Sequence, residues 1–374
     1  MSQPGAAESR AIARRAVSMA LDAGATQAEA LVIESSSALT RFANNELHQN
    51  VAQTDTAVSL RFVAGQRIGV ASANRHDDAS LRRLARSAAD IARLQPEQDW
   101  FRSLPGPTEV TPVEGAWAST TATADPGRRA DAAAAVIAGA EGVGAQAFGL
   151  VETESETVSV VNSLGIDVSE ARSRAHVLTV MMGPGGGSGY AEEVAVDIER
   201  LDARAIGHEA AARTAAMADA IELPAGDYPV VLDSYAVMDL AMWLGLLGFN
   251  AQAVQEEQSF YAPGKIVASP LVSLSDDGGD PQGTPASFDY EGVAKRRVSL
   301  LEAGVCAEMV HDSKTAARAG VGSTGHALPA PNPWGPFTLN LSLAAGETPR
   351  DELIGGLERG LLVTRFHYTN VVQP

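Results

Sequence analysis

The sequence predicts an α+β protein with two domains. Three observations carry this prediction: a helical apolar stripe over 8–23, a strand-rich section after it, and an antiparallel meander pattern over 146–182. A boundary near residue 222 separates an N-terminal domain, 1–222, from a C-terminal domain, 223–374. We expect the first domain to combine helices with a sheet and the second to be mainly antiparallel β.

The chain begins with a predicted helix that is followed by a run of strands. The helix covers 8–23, and Gly24 is its C-terminal stop. Asn44-Asn45 and Gly65-Gln66 suit the tight turns that join neighbouring strands. The predicted strands cover 29–37, 39–45, 47–53, 56–65 and 67–74.

A proline-rich connector interrupts this section of the chain. A helix is predicted over 78–94, and the connector then covers 95–125 with little periodicity. Helix returns over 126–142, and the meander follows with a hairpin turn at Leu164-Gly165. The glycine-rich loop 183–191 leads to a helix at about 199–219.

The second half opens with an apolar run, "GDYPVVLDSY" (226–235), which predicts a buried strand. The next segment, 235–249, is apolar nearly all round, so we expect a buried helix. From residue 250 onward, short strand-like pieces alternate with Gly, Pro and Asp turns.

Composition limits the partners and the cellular compartment. The formal net charge of −18 argues against nucleic acid or an anionic membrane as the main partner, because both require clustered Lys and Arg. The longest apolar run, 235–249, is too short for a membrane span and contains Asp239. The N-terminus has no apolar signal-peptide region, and a single cysteine, Cys306, excludes an internal disulfide. We therefore expect a cytoplasmic protein.

Three segments resemble the TldD/PmbA family, whose PmbA branch is also called TldE. The first is the polar-aromatic hairpin "RFANNELHQN" (41–50). The second, 259–305, has a Ser-Phe with a nearby Gly-Lys, an Asp-rich turn, and an Asp-x-Glu-Gly followed by basic residues. The third is "STGHALP" (323–329), with "GLLVTRFHYTN" (360–370) after it. The segments keep the family's order over most of the chain.

The resemblance implies a two-domain TldD/PmbA-like fold and a role in peptide cleavage. Members pair as TldD–TldE heterodimers or as homodimers, and the pair cleaves unfolded peptides. The TldD subunit carries zinc on an H-E-x-x-x-H helix with a later cysteine as a further ligand, whereas the TldE subunit lacks these ligands. Members usually continue past "LLVTRFHYTNVVQP" (361–374), so a chain that stops at Pro374 is expected to be a fragment or a shortened member.

The position of the zinc helix decides between the two branches. In the family this helix follows a strand like "YPVVL" (228–232), and the corresponding segment here is 233–254. That segment contains no His, Glu or Cys, and its acids are Asp233 and Asp239. The resemblance is therefore to the TldE/PmbA-like side, with no catalytic, cofactor-binding or metal-binding residue in this chain and with zinc on the partner subunit.

Half of a zinc-protease motif occurs elsewhere, at His208-Glu209. The motif needs a second His one helical turn later, and that position is Ala212. We expect an exposed pair on an alanine-rich helix. The remaining histidines, at 48, 76, 176, 311, 326 and 367, show no H-x-x-x-H spacing, although a metal site built from dispersed residues stays open.

Other motifs have stronger structural than functional interpretations. The loop 183–191 lacks a P-loop ending and Rossmann spacing, so a turn is favoured over phosphate binding. "GSTGH" (322–326) is not a nucleophile elbow, because the required Gly is Val321. The acidic run 273–283 lacks the EF-hand pattern and is expected to be a solvated turn. "DYEGVAKRR" (289–297) is expected to be a solvated face or a structural contact.

The function predicted from the sequence is that of a metal-free TldE/PmbA-like subunit of a TldD-type metallopeptidase complex that degrades or processes unfolded peptides. Its partners would be a zinc-bearing TldD-like subunit and the peptide, and the chain would be inactive alone. The alternative is a non-catalytic peptide-binding or structural homodimer. A third hypothesis is an independent hydrolase with a non-standard site.

Overall fold

A computed structural model describes residues 5–372 of the chain, which form two compact units. The first comprises the chain up to Ile221 together with Asp280–Ala294 and Pro329–Pro331. The second comprises Glu222–Gly279, Lys295–Leu328 and the chain from Asn332 onward. The predicted division into 1–222 and 223–374 stays a prediction, and Pro374 lies outside the described residues.

The first unit contains an antiparallel sheet in the order β3-β2-β1-β4-β5-β6. The helices predicted over 8–23, 78–94 and 126–142 are confirmed to within two residues. The elements are α1 (Ala6–Asp22), β1 (Gln27–Ala43), β2 (Glu46–Ala64), β3 (Arg67–Ala73), α2 (Asp78–Leu94), α3 (Ser119–Ala122), α4 (Pro126–Glu141), β4 (Gln146–Asn162), β5 (Asp167–Met182), β6 (Ser188–Ala195) and α5 (Ala203–Ala216).

The strands are longer than the sequence predicts. The runs predicted as separate strands at 29–37 and 39–45 form the single strand β1, and those at 47–53 and 56–65 form β2. β1 pairs with β2 on one side and β4 on the other, so backbone hydrogen bonding continues through its polar middle. The turn at Asn44-Asn45 is confirmed, because both residues have positive φ.

The glycine-rich loop is also shorter than predicted. Its N–H and C=O groups close a turn over 183–187, and β6 begins at Ser188. The following helix begins at Ala203 rather than at 199, because Asp202 caps it by accepting from the N–H of Ala205.

One face of the sheet carries the helices. α1 and α2 cover one end, where Ile12, Leu81 and Val58 share a core. α4 and α5 cover the other end, where Val136 and Ile206 pack on residues of β4 and β5. Because side chains alternate along a strand, the even-numbered residues of β1 face these helices.

The segment 280–294 covers part of the opposite face. Phe288 is buried against Leu31, Val158 and Ile166 of the strands and the turn between them. The backbone N–H and hydroxyl of Ser287 both donate to the carboxylate of Glu170. This segment lies within the family-like stretch 259–305, and it packs as part of the first compact unit.

Gly69 shows how closely β3 and α2 approach. A Cβ atom at this position would lie 2.1 Å from the carbonyl oxygen of Ala88 and 2.4 Å from the nitrogen of Ala92. We expect Gly69→Ala to lower the free energy of unfolding by about 1–3 kcal/mol, because both neighbours are helix backbone. Urea denaturation measures this, with Gly106→Ala as the control, where a Cβ meets nothing within 4 Å. Equal stability of the two variants would contradict the packing.

The second unit has short elements. One sheet has the order β10-β9-β8-β11, with antiparallel pairing throughout, and a second pair, β7 with β12, is parallel. The elements are β7 (Val230–Leu232), α6 (Ser234–Trp243), a π-helical turn (Leu244–Gly248), α7 (Ala251–Gln255), β8 (Leu274–Asp276), β9 (Val298–Glu302), β10 (Val305–Cys306), α8 (Ser313–Ala319), β11 (Leu341–Leu343), α9 (Arg350–Gly355) and β12 (Leu361–Val363).

The strand predicted over 226–235 is short and is not buried. β7 covers three residues, and Val230 is exposed. The pairing partner of β7 is β12, some 130 residues later in the chain, so the apolar run reflects a small parallel pair rather than a core strand. Cys306, in contrast, lies in the core of this unit with Phe249, Val298 and Leu300.

Candidate functional site

The segment 233–254 is where the family resemblance places a zinc helix, and its first turn is built around Asp233. The Asp233 carboxylate accepts from the N–H of Ser234 at 3.1 Å and so caps α6. Arg350 donates to both oxygens of the same carboxylate, at 2.8 and 3.2 Å. One of the two acids of this segment is therefore engaged in holding the helix in place.

α6 is more exposed than its sequence predicts. The expectation of a buried helix over 235–249 is wrong for the first half, because Met238, Leu240 and Met242 are 52%, 43% and 38% exposed. The second half is buried, at Gly245, Gly248 and Phe249. The sequence pattern indicated an apolar helix, but it does not show which faces of that helix other elements cover.

The buried half fixes the position of α6. At the π-helical turn, a Cβ on Gly245 would lie 2.1 Å from the Thr338 hydroxyl oxygen, so the backbone approaches its neighbour closely. Phe249 follows with edge-to-face ring contacts to Phe260 and Tyr261, at centroid distances of 5.7 and 6.0 Å. The exposed apolar side chains of α6 are therefore carried by an anchored helix.

A cleft of about 510 Å³ opens beside the end of α6. Trp243 and Leu247 line it from one side and Thr369–Val372 from the other. Its lining within the described residues contains no titratable side chain. Such a cleft suits apolar side chains of a ligand rather than proton transfer.

The side chains of α6 do not fit zinc. Zinc in proteins needs three or four Cys, His, Asp or Glu ligands. The segment offers two carboxylates, Asp233 and Asp239, and the first is held by Arg350. Across residues 5–372, no group of three or more His, Cys, Asp or Glu side chains is placed to hold a metal ion.

Comparison with family models decides the family. The PmbA/TldA metallopeptidase domain 1 matches residues 28–92, the central domain matches 119–218, and the C-terminal domain matches 225–374. The chain belongs to the TldD/PmbA family. The predicted membership is thereby confirmed, and the three matches together cover most of the chain.

Individual relatives agree with this assignment. The chain is 29% identical over 165 residues to the metalloprotease TldD homolog of Haemophilus influenzae, a match over 39% of this chain and 32% of that protein. The fold resembles that of TldE from Thermococcus kodakarensis, with 20% identity, a TM-score of 0.88, and coverage of 95% of this chain and 83% of that one. A Thermotoga maritima protein has 22% identity, a TM-score of 0.84, and coverage of 94% and 81%. The predicted α+β fold is confirmed.

The half-motif His208-Glu209 lies on α5 of this TldD/PmbA-family chain, on the helix that precedes the zinc-helix segment 233–254. Both side chains are exposed, and Glu209 forms an ion pair with Arg213 at 2.7 Å, one helical turn later. The predicted exposed pair on an alanine-rich helix is confirmed.

The family's C-terminal domain contains a buried polar cluster that the sequence did not indicate. His326 Nε2 lies 2.8 Å from Asp276 Oδ1, and the N–H of Asn340 donates to Asp276 Oδ2, also at 2.8 Å. Neither the His326 nor the Asp276 side chain is exposed at all. The prediction of a solvated acidic turn over 273–283 is therefore wrong for Asp276, which ends the core strand β8.

The protonation of this pair follows from its surroundings. Burial alone would raise the pKa of Asp276, but the His326 hydrogen bond and the Lys295 charge outweigh it and hold that pKa below its ordinary value. Burial lowers the pKa of His326 more than the carboxylate raises it. Both directions are compatible with an ionised Asp276 that accepts from the Nε2–H of His326.

Thr324 completes an arrangement that resembles a hydrolase triad. Its Oγ1 lies 2.9 Å from His326 Nδ1, the nitrogen that does not face Asp276. The backbone N–H of His311 donates to the same hydroxyl at 2.7 Å. Thr324 and His326 are buried, and the Thr324 hydroxyl is already engaged by His326 and by the backbone of His311, so the cluster stabilises the fold rather than acting as a nucleophile.

A second buried polar cluster lies in the first unit. The expectation of a solvated face over 289–297 is wrong for the two acidic residues of that run. Asp289 and Glu291 are buried, and Glu291 pairs with Arg61 at 2.8 Å. Arg61 also lies 3.5 Å from Glu29. These contacts hold the segment 280–294 on the sheet, which supports the structural interpretation of the motif.

Proposed function

We propose that this chain is the TldE/PmbA-like subunit of a TldD-type peptidase complex that acts on unfolded peptides. The observation that carries the proposal is the chemistry of α6. It occupies the segment where the family resemblance places the zinc helix, and it presents methionine and leucine side chains where ligands would be needed. The likeness of the fold to TldE supports the same branch.

The proposed role of α6 is contact with an apolar surface. Met238 and Met242, one helical turn apart, form an exposed apolar group on an anchored helix, and methionine adapts to irregular partners. A peptide or the partner subunit would cover this group. The sheet edges at β3 and β6 offer a second mode, in which an extended peptide adds as a further strand.

Zinc would belong to the partner subunit in this proposal. There it supplies the Lewis acid and the activated water that peptide hydrolysis requires. This chain would bind and orient the peptide beside that site. We place the complex in the cytoplasm, because the single cysteine is in keeping with a reducing compartment. No helix in the described part of the chain is long and apolar enough to cross a membrane.

We expect this chain alone to leave an unfolded peptide intact and to increase its cleavage when mixed with a TldD-like subunit. The assay follows peptide hydrolysis by each subunit and by the mixture, with and without a chelator. Chelator-sensitive turnover by this chain alone, after repurification, would contradict the proposal. Unchanged turnover in the mixture would instead favour the non-catalytic homodimer.

A paired substitution tests the role of α6 in the same assay. Met238→Asp places a charge in the exposed apolar group and is expected to reduce the stimulation about tenfold. Leu94→Asp, at the end of α2 and 85% exposed, is the matched control and is expected to change little. Equal stimulation by the two variants would exclude α6 as the contact surface.

A further inference from the structure

A polar cavity lies on the helix-covered face of the first unit, beside the N-terminal end of α4. Its volume is about 300 Å³. Three paired strands form the floor of the cavity. Ala38 of β1 lies opposite Ala52 of β2 on one side and Thr153 of β4 on the other. Ser36 and Thr54, the next pair on that face, extend the floor with hydroxyl groups.

Arg129 of α4 lines this cavity and is 1% exposed. Its Nη1 donates to the carbonyl of Ala124 at 2.9 Å and to the hydroxyl of Thr153 at 3.4 Å. Its Nε is buried and has no hydrogen-bond partner in the described part of the chain. No carboxylate of residues 5–372 lies within ion-pair distance of this guanidinium.

Burying an unpaired guanidinium lowers the stability of the folded state, and this chain contains many carboxylates that could pair with it. A charge taken out of water is normally paired with an opposite charge. The chain has 46 acidic residues, and the carboxylate whose charge acts on the pKa of Arg129 is that of Asp125. Asp125 is exposed, however, and caps α4 by accepting from the N–H of Arg128. The Arg129 guanidinium therefore has no counter-ion among residues 5–372.

We propose that the cavity binds a carboxylate group, with Arg129 as its counter-ion. With Nη1 engaged, Nε and Nη2 remain without protein partners, and these two nitrogens are a pair that a carboxylate engages through two parallel hydrogen bonds. The side chains of Ser36, Ser37, Gln53 and Thr54 make no hydrogen bonds within the described chain and line the same cavity. They supply donors and acceptors for the rest of the ligand.

A carboxylate fits the cavity better than a phosphate. A single guanidinium balances one negative charge, and no second Lys or Arg lines the cavity among the described residues. The carboxylate has two sources that share this chemistry, a small free acid or the C-terminus of a peptide. A cavity of about 300 Å³ accommodates either the acid or the last residues of a peptide.

Calorimetric titration of the full chain at constant ionic strength tests the proposal. The ligands are acetate, N-acetyl-trialanine with a free C-terminus, the same peptide amidated, and inorganic phosphate. We expect saturable binding of one carboxylate ligand per chain, and about tenfold weaker binding of the amide. Stronger binding of the free peptide than of acetate identifies a peptide terminus as the source, and equal binding identifies a small acid.

Two variants and their controls locate the site. Arg129→Gln removes the charge and is expected to weaken binding about tenfold, whereas Arg128→Gln removes an exposed charge one residue away and leaves binding unchanged. If Arg129→Gln fails to fold, Ala52→Leu tests the site instead, because Ala52 is exposed in β2 and a larger side chain there fills the cavity. Ala57→Leu, at an exposed position of β2 outside the cavity, is the control.

Several results would overturn the proposal. These are equal binding of the acid and amide peptides, binding of phosphate without binding of carboxylates, and no binding at all. Undiminished binding by both Arg129→Gln and Ala52→Leu would also overturn it.

Discussion

Replacing Asp276 with alanine is expected to lower the free energy of unfolding by about 3–5 kcal/mol, because it breaks a buried charged network from one side. The carboxylate accepts from His326 and from the N–H of Asn340, and neither group can reach water in its place. The substitution also removes the negative charge that Lys295 interacts with in the same interior. Each loss leaves a buried donor or a buried charge behind.

Urea denaturation of the full chain measures this effect. Asp277→Ala is the matched control, since the neighbouring residue is only half-buried and its side chain accepts from the N–H of Gly279 in the local turn. We expect the control to cost about 1 kcal/mol or less. Similar losses for the two variants would show that Asp276 acts through the turn rather than through the cluster with His326.

Local patterns predicted the helices and turns of the first unit well. The predicted helices over 78–94 and 126–142 begin where Asp77 and Asp125 cap them, since each carboxylate accepts from a backbone N–H of the first turn. Strand length was harder to predict. β1 continues through Ser35 to Ser37 because neighbouring strands satisfy its backbone on both sides, and a single sequence does not show this pairing.

The exposure of apolar segments was not predictable in the second unit. The segment 235–249 has apolar residues on every face, and this pattern is typical of a buried helix. In the structure, Phe249 is fully buried whereas Met238 is exposed, although both belong to the same run. Burial depends on which elements pack against each face, and those elements come from distant parts of the chain.

The polar clusters were missed for a similar reason. Asp276 and His326 are separated by 50 residues, so no motif spacing connects them. Arg129 stands in an alanine-rich helix where its neighbour Arg128 is an ordinary surface residue. The segment "STGHALP" did mark the place of His326 through the family resemblance, but it gave no role for the side chain.

Glu29 should make the stability of the protein fall as pH rises. Burial raises the pKa of Glu29 to about 8, the Arg61 charge opposes this, and the carboxylates of Glu291 and Asp289 add to it. In the unfolded chain the group loses its proton near 4.5. The folded state therefore holds a proton that the unfolded state has lost, and stability declines between about pH 4.5 and 8.

Glu29→Gln removes this dependence, because glutamine resembles the protonated carboxyl group at every pH. We expect the variant to match the wild type near pH 4.5 and to exceed its free energy of unfolding by a few kcal/mol (about 1.4 kcal/mol per pKa unit) at pH 8. Urea denaturation at intervals between these pH values measures both curves. Glu46→Gln, at an exposed position in β2, is the control for the loss of one carboxylate.

The difference between the wild-type and Glu29→Gln stability curves distinguishes a Glu29 that is buried and protonated from an ionised Glu29 that is stabilised by Arg61. If Glu29 were ionised and held by Arg61, the variant would be the less stable protein at pH 8, because Arg61 would lose one of its two partners. With burial dominant, Arg61 keeps Glu291 at 2.8 Å and the variant gains stability. Parallel curves for wild type and variant would place the pH dependence outside this cluster.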